Sequence, residues 1–232
     1  MLFRQLFDNE SSTYTYIIAS GQGREALIID PVKAQTDVYL GLIEQLDLKL
    51  VRALDTHTHA DHITALGALR EHTDCITVMG EHSRADCVSE RVREGDYIDI
   101  DGVRLAALYT PGHTDESFSF VWDNAGHRNI FTGDALLIRG SGRTDFQGGD
   151  PYKSYDSIVN KLFTLGDDSH VYPAHDYKGF TVSTIGEERR FNPRLAGKTA
   201  QEYAEIMNNL DLPDPKMMDV AVPANLACGR PI

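Results

Sequence analysis

Four metal-capable side chains stand within six residues, His57-Thr58-His59-Ala60-Asp61-His62, directly after the short apolar run Leu50–Leu54. Along an extended strand alternate side chains point to opposite faces, so these groups converge only in a loop leaving the strand. The run itself is short and apolar, which predicts a buried strand. A chain with this feature must deliver a buried strand end to a polar mouth. The plainer alternative is a polar loop with Asp61 capping the helix predicted over Ile63–Arg70. With nine histidines in 232 residues, three in one hexapeptide favour a metal.

Three later elements repeat the pattern. In Thr110-Pro111-Gly112-His113-Thr114, a tight Pro-Gly turn holds His113 at the end of a strand predicted over Val103–Leu108. In Phe131-Thr132-Gly133-Asp134, a carboxylate emerges from a buried run, where it is costly unless paired or metal-bound. Tyr172-Pro173-Ala174-His175-Asp176 places one more histidine after the strand His170–Pro173. Each alone reads as an ordinary turn. With the first cluster they give the candidate set His57, His59, Asp61, His62, His113, Asp134 and His175, whose spacing allows two zinc ions bridged by Asp134.

Elsewhere, strands are predicted at Thr13–Ala19, Ala26–Asp30, Cys75–Met79, Tyr97–Ile100, Phe118–Trp122 and Asn129–Thr132. Helices are predicted at Val38–Leu46, Tyr152–Leu165 and Ala200–Asn208. The tail after Leu210, with Pro213, Pro215 and Pro223, is predicted to be extended. This order suits two packed sheets with helices outside, in one domain over 1–232 with a short C-terminal appendage from about 199.

The net charge of -13 repels a phosphate backbone and argues against nucleic acid. No segment approaches the ~20 apolar residues that span a bilayer, so no membrane partner is expected. The N-terminus lacks the features of a targeting segment, so a cytoplasmic location is predicted. Three cysteines, Cys75, Cys87 and Cys228, are an odd number without a close pair, which predicts reduced thiols.

The four elements, in this order, resemble the metallo-β-lactamase superfamily over most of the chain. The resemblance implies an α/β fold, the αββα sandwich, with the site at one edge between the sheets. Longer strings narrow it. Asp55–Thr64, Thr132–Phe146, Tyr172–Phe180 and Val222-Pro223-Ala224-Asn225 are similar to the persulfide dioxygenase (sulfur dioxygenase) family. Ser141 departs from the cysteine expected there in many relatives. This narrower resemblance implies one Fe(II) per chain, held by His57, His113 and Asp134, with His59, Asp61, His62 and His175 around it. It implies oxidation of glutathione persulfide with O2 and water to sulfite and glutathione. The alternative is a dinuclear zinc hydrolase of the glyoxalase II type, which usually carries a longer C-terminal extension.

An acidic protein must offset the glutathione carboxylates locally. Arg139 and Arg143 follow Asp134, and Tyr177 and Lys178 follow His175; these four are the candidate substrate contacts. A homodimer and a separate rhodanese-type sulfurtransferase delivering the persulfide are the further partners expected.

Overall fold

The computed structural model describes residues 1–215 and 217–230. Strands β1 (Leu2–Asp8), β2 (Thr13–Ala19), β3 (Glu25–Ile29), β4 (Lys49–Leu54), β5 (Ile76–Gly80) and β6 (Glu90–Val92) form one sheet in sequence order. The β1–β2–β3 pairs are antiparallel, and β3, β4, β5 and β6 run parallel. The antiparallel hairpins turn within a few residues. The parallel steps need crossovers, which α1 (Thr36–Gln45) supplies from β3 to β4 and α2 (Leu66–Thr73) from β4 to β5, a loop making the step to β6. Parallel strands deliver their C-terminal ends to a common edge, and β4 delivers the His57–His62 loop there.

After β7 (Tyr97–Ile100) the chain turns at Asp101-Gly102, with Gly102 at φ +74°, into β8 (Val103–Tyr109). Strands β9 (Phe118–Asn124), β10 (His127–Gly133), β11 (His170–Pro173) and β12 (Ser183–Thr184) continue the second sheet in the order β12-β11-β10-β9-β8. The β10–β11 pair is parallel, and its register slips between Phe131 and Gly133. A bulge at this point bends the strand end and lifts Asp134 clear of the ladder. Helices α3 (Pro151–Asp156), α4 (Ile185–Phe191), α5 (Ala200–Asn208) and α6 (Met218–Leu226) bring the helices to six among the described residues.

The chain divides into two compact units. One comprises Met1–Val92, Tyr97–Arg104 and the stretch from Asp214; the other comprises Arg93–Asp96 and Leu105–Pro213. The first has a core of Ile17, Ile28, Leu50, Ala53, Leu66 and Leu69 under Tyr39 and Ile43 of α1. Each fully buried aliphatic side chain there contributes about 2 kcal/mol. The second packs Ile130, Leu136, Ile158, Leu162, Val171 and Ile185 with Tyr203 and Met207 of α5.

Three expectations are corrected. Ile63–Ala65 is not helical: Thr64 bridges Val32, the Ala65 amide donates to Pro31 O, and α2 begins at Leu66. Asp61 caps no helix. The tail is not extended throughout, because Met218–Leu226 is a helix with Pro223 inside it. Two of the three cysteines are not reduced: Cys87 and Cys228, 141 residues apart, form a disulfide, and buried Cys75 is free. A separation that long leaves no trace in the spacing.

Candidate metal centre

In the first unit the loop after β4 is held from below by Asp30, at the end of β3. The Thr56 amide donates to Asp30 Oδ1 at 2.7 Å and the Thr56 hydroxyl to Oδ2 at 3.1 Å. His59 Nε2 lies 3.2 Å from Asp30 Oδ1. Burial pushes the Asp30 carboxyl up to about 6, against the pull of His57 and the Thr56 hydrogen bonds. Because the Thr56 hydroxyl donates to Asp30, its oxygen accepts from His57 Nδ1, 3.0 Å away. Nε2 is then the lone-pair nitrogen of His57. The rings of His57 and His59 stand 4.2 Å apart, and those of His59 and His62 4.3 Å. His62 Nδ1 lies 2.9 Å from Asp61 Oδ2 and 3.2 Å from the Thr13 hydroxyl. All three histidines are buried.

The far side of this loop is held by Asn225 of α6. Its side-chain amide donates to His59 O and His62 O, both at 2.8 Å, and its Oδ1 accepts from the Thr64 amide at 2.8 Å. Neither Asp30 nor Asn225 stood out as a site residue in the sequence. The available signal for Asp30 was a carboxylate closing the buried run Ala26–Ile29.

In the second unit, Gly112 (φ +140°) turns the chain after β8; a Cβ there would stand 2.3 Å from the backbone of Ser154 in α3. Only glycine meets both demands. The turn aims His113, whose Nδ1 donates to Arg143 O at 2.7 Å. Its Nε2 faces Asp134 Oδ2 at 3.6 Å. His175, after β11, places Nδ1 2.7 Å from Asp134 Oδ1. Gly142 closes this half. Its amide donates to Asp134 O at 2.8 Å, and a Cβ on it would meet that oxygen at 2.4 Å and the His113 ring at 2.8 Å.

The four candidate substrate contacts divide. The Arg139 guanidinium is engaged by Glu187 at 2.7 Å and, closer still, by the fully buried Glu188. Arg143 forms a bidentate pair with Asp145 at 2.7 and 2.8 Å, donates to Pro213 O and lies over the Phe146 ring. Tyr177 is 71% exposed and stacks within 5° of parallel on His175. Lys178 is exposed, with its backbone amide fixed by Asp176. Ser141 is buried, its hydroxyl 2.9 Å from the Tyr203 hydroxyl.

The metallo-beta-lactamase superfamily model matches residues 8–175, a span that includes the candidate ligands of each unit. The chain belongs to that superfamily, has its α/β fold and carries a metal-binding site. Within the superfamily it is a member of the persulfide dioxygenase family. It is 46% identical over 230 residues to persulfide dioxygenase ETHE1, mitochondrial, of Homo sapiens, covering 99% of this chain and 89% of the human one. The crystal structure of ETHE1 from Myxococcus xanthus matches with a TM-score of 0.95 and 53% identity, covering 99% of this chain and 100% of that one. A hydroxyacylglutathione hydrolase of Francisella philomiragia is 30% identical over 212 residues, 88% of this chain and 81% of that protein.

Proposed function

We propose that the protein oxidises glutathione persulfide with O2 and water to sulfite and glutathione, at one Fe(II) held by His57, His113 and Asp134. The near-full-length identity to persulfide dioxygenases carries this reading. The donor chemistry fits. Two imidazoles and one carboxylate form the facial set that suits non-haem Fe(II) and leaves positions open. His57 and His113 each engage Nδ1 with a protein oxygen, so Nε2 is the donor each would offer. Second partners of this kind fix ring orientation and raise ligand basicity. Iron bound there would supply activation of O2.

The protein's own groups set the geometry. His175 Nδ1 lies 2.7 Å from Asp134 Oδ1 and His62 Nδ1 2.9 Å from Asp61 Oδ2, contacts that would orient these side chains around a single metal. His59, Asp61, His62 and His175 thus serve as the outer shell. Since Arg139 and Arg143 are committed to carboxylates of the chain itself, the glutathione carboxylates fall to Lys178, with Tyr177 beside it. Both compact units act as one functional domain over 1–232. Among the described residues no helix is long and apolar enough to cross a membrane. The human relative is mitochondrial by name; the location proposed for this chain is the cytoplasm, with a homodimer and a separate sulfurtransferase as partners.

The dinuclear zinc hydrolase remains the second reading because the likeness to the hydroxyacylglutathione hydrolase covers most of both chains. One experiment separates them. Metal content is measured on the purified protein, then O2 uptake with glutathione persulfide and cleavage of S-lactoylglutathione. One iron with O2 uptake is the expected result; two zincs with thioester cleavage would overturn it.

A further inference from the structure

The disulfide and the histidine loop are joined by a short path within the first unit. Asn225 grips the loop backbone at His59, His62 and Thr64 with three hydrogen bonds of 2.8 Å. Three residues on, Cys228 is bonded to Cys87, in the loop between β5 and β6. Helix α6 itself contributes little further anchoring through its own packing. It is nine residues long, shorter than helices that hold themselves in water. Its buried side chains are Ala221, Ala224 and Asn225, so it offers little apolar surface. The segment Asp211–Pro215 leading to it has no regular structure.

What seats α6, besides Asn225 itself, is its C-terminal end. The Gly67 amide donates to Cys228 O at 3.0 Å, and Lys33 Nζ donates to Gly229 O. Gly229 lies so close to Thr64 O that a Cβ there would stand 2.1 Å away. The disulfide is the covalent tie among these contacts. Its far end is fixed in turn, because Arg70 of α2 donates to Cys87 O at 2.6 Å. The two residues differ in exposure: Cys87 is half-buried and Cys228 is buried.

We propose that Cys87–Cys228 is a thiol-exchange site, a redox latch that low-molecular-weight thiols open to release the Asn225 grip on the histidine loop. A thiolate attacks the sulfur of Cys87, the more exposed residue, and the Cys228 thiolate leaves, giving a mixed disulfide at Cys87. A second thiolate attacks the outer sulfur of that mixed disulfide and leaves with it as a small-molecule disulfide. Two small thiols are thereby oxidised by two electrons, and their two protons end on Cys87 and Cys228. Glutathione, the product of the proposed reaction, belongs to this class of thiol, so the site responds to the pool that the enzyme feeds. Here the inference deepens the persulfide dioxygenase reading; the latch itself rests only on the contacts above.

The test uses the full-length holoenzyme with whatever metal it holds as purified. Alkylation under denaturing conditions, followed by mass spectrometry, counts one free thiol before reduction and three after equilibration with reduced glutathione. Amide hydrogen exchange at Ala60–Thr64 is then compared in the two forms, with metal retention against a chelator. Opening the latch is expected to raise exchange in that loop while the β2–β4 core stays protected. Metal affinity is expected to fall by about tenfold, the usual effect of losing outer-shell support. Cys87→Ser should reproduce the reduced form and no longer respond to glutathione. Three free thiols before reduction would overturn the proposal. So would unchanged loop exchange and metal retention after reduction, or unfolding of the whole protein. Two zincs and thioester cleavage in the same preparation would sink the dioxygenase reading and leave the latch standing.

Discussion

His175 Nδ1 and Asp134 Oδ1 stand 2.7 Å apart, joining the ends of two neighbouring parallel strands, β10 and β11. The contact engages one carboxylate oxygen and turns the other, Oδ2, toward His113 Nε2. If Asp134 serves one metal, His175 orients a ligand and does not act as one. His175→Gln should then keep a stoichiometry of one metal per chain and weaken its retention about 10- to 100-fold. Asp134→Ala should abolish binding altogether. Chelator competition with metal analysis distinguishes these outcomes from a two-metal site, where His175→Gln would halve the stoichiometry.

Asp30 gives the protein a pH dependence with a defined sign. Its carboxyl is raised by burial from 3.8 to about 6, so between those values the folded state holds a proton that the unfolded state has lost. Stability from this group is full below the unfolded value, falls as pH rises toward 6, and is level above it. The integrated effect is about 3 kcal/mol at most. The paired carboxylates act in the opposite direction. Glu187, held low by the Arg139 hydrogen bond, adds stability that is lost as pH falls. The measurable quantity is therefore a difference: urea unfolding of metal-free wild type and Asp30→Asn at pH 4.5 and 6.5. Wild type should lose more stability, or gain less, than Asp30→Asn over that interval.

These two residues also show what a sequence can and cannot reveal. His57–His62, His113, Asp134 and His175 were legible because each follows directly on a strand, and strand ends project loops. The fold was legible for the same reason: runs such as Leu50–Leu54 and Thr13–Ala19 carry their own period and punctuation. Asp30 was hidden because its partners, Thr56 and His59, lie in the loop after β4, and only the β3–β4 pairing brings them together. Asn225 and the Cys87–Cys228 bond lie further still from their partners in sequence. Helix α6 was missed because three prolines dominate the local signal, although the middle of the segment has no breaker before Pro223. Its place after Asp134 and the fit of a guanidinium to carboxylates suggested Arg139 for substrate, and only the structure brings Glu187 and Glu188 to it.

Arg139 is the test of that reassignment. Its guanidinium faces Glu188, a carboxylate with no exposed surface, and removing one partner of such a pair leaves a buried charge that water cannot reach. Glu188 keeps the Ser183 hydroxyl and the Asn192 side-chain amide, which soften the loss. Arg139→Met should destabilise the protein by about 3 kcal/mol in chemical denaturation. KM for glutathione persulfide should stay within about twofold, the small change expected of a contact that makes no substrate interaction. A large rise in KM with unchanged stability would return Arg139 to the substrate site.

Gly142 tests whether the metal-binding half of the second unit depends on a backbone approach that no side chain permits. A Cβ at this position would press on Asp134 O at 2.4 Å and on the His113 ring at 2.8 Å. Neither neighbour has room to yield without moving a candidate ligand, because Asp134 O accepts from the Gly142 amide and His113 Nδ1 is tied to Arg143 O. Overpacking at such a point costs about 2 kcal/mol, which a domain of this size survives. Gly142→Ala should therefore fold, yet lose metal in proportion to the displacement of His113. Circular dichroism with metal analysis on the same sample checks both halves of the expectation. Full metal occupancy in the folded variant would show that the Asp134–His113 geometry tolerates the shift and that Gly142 is not needed to hold it.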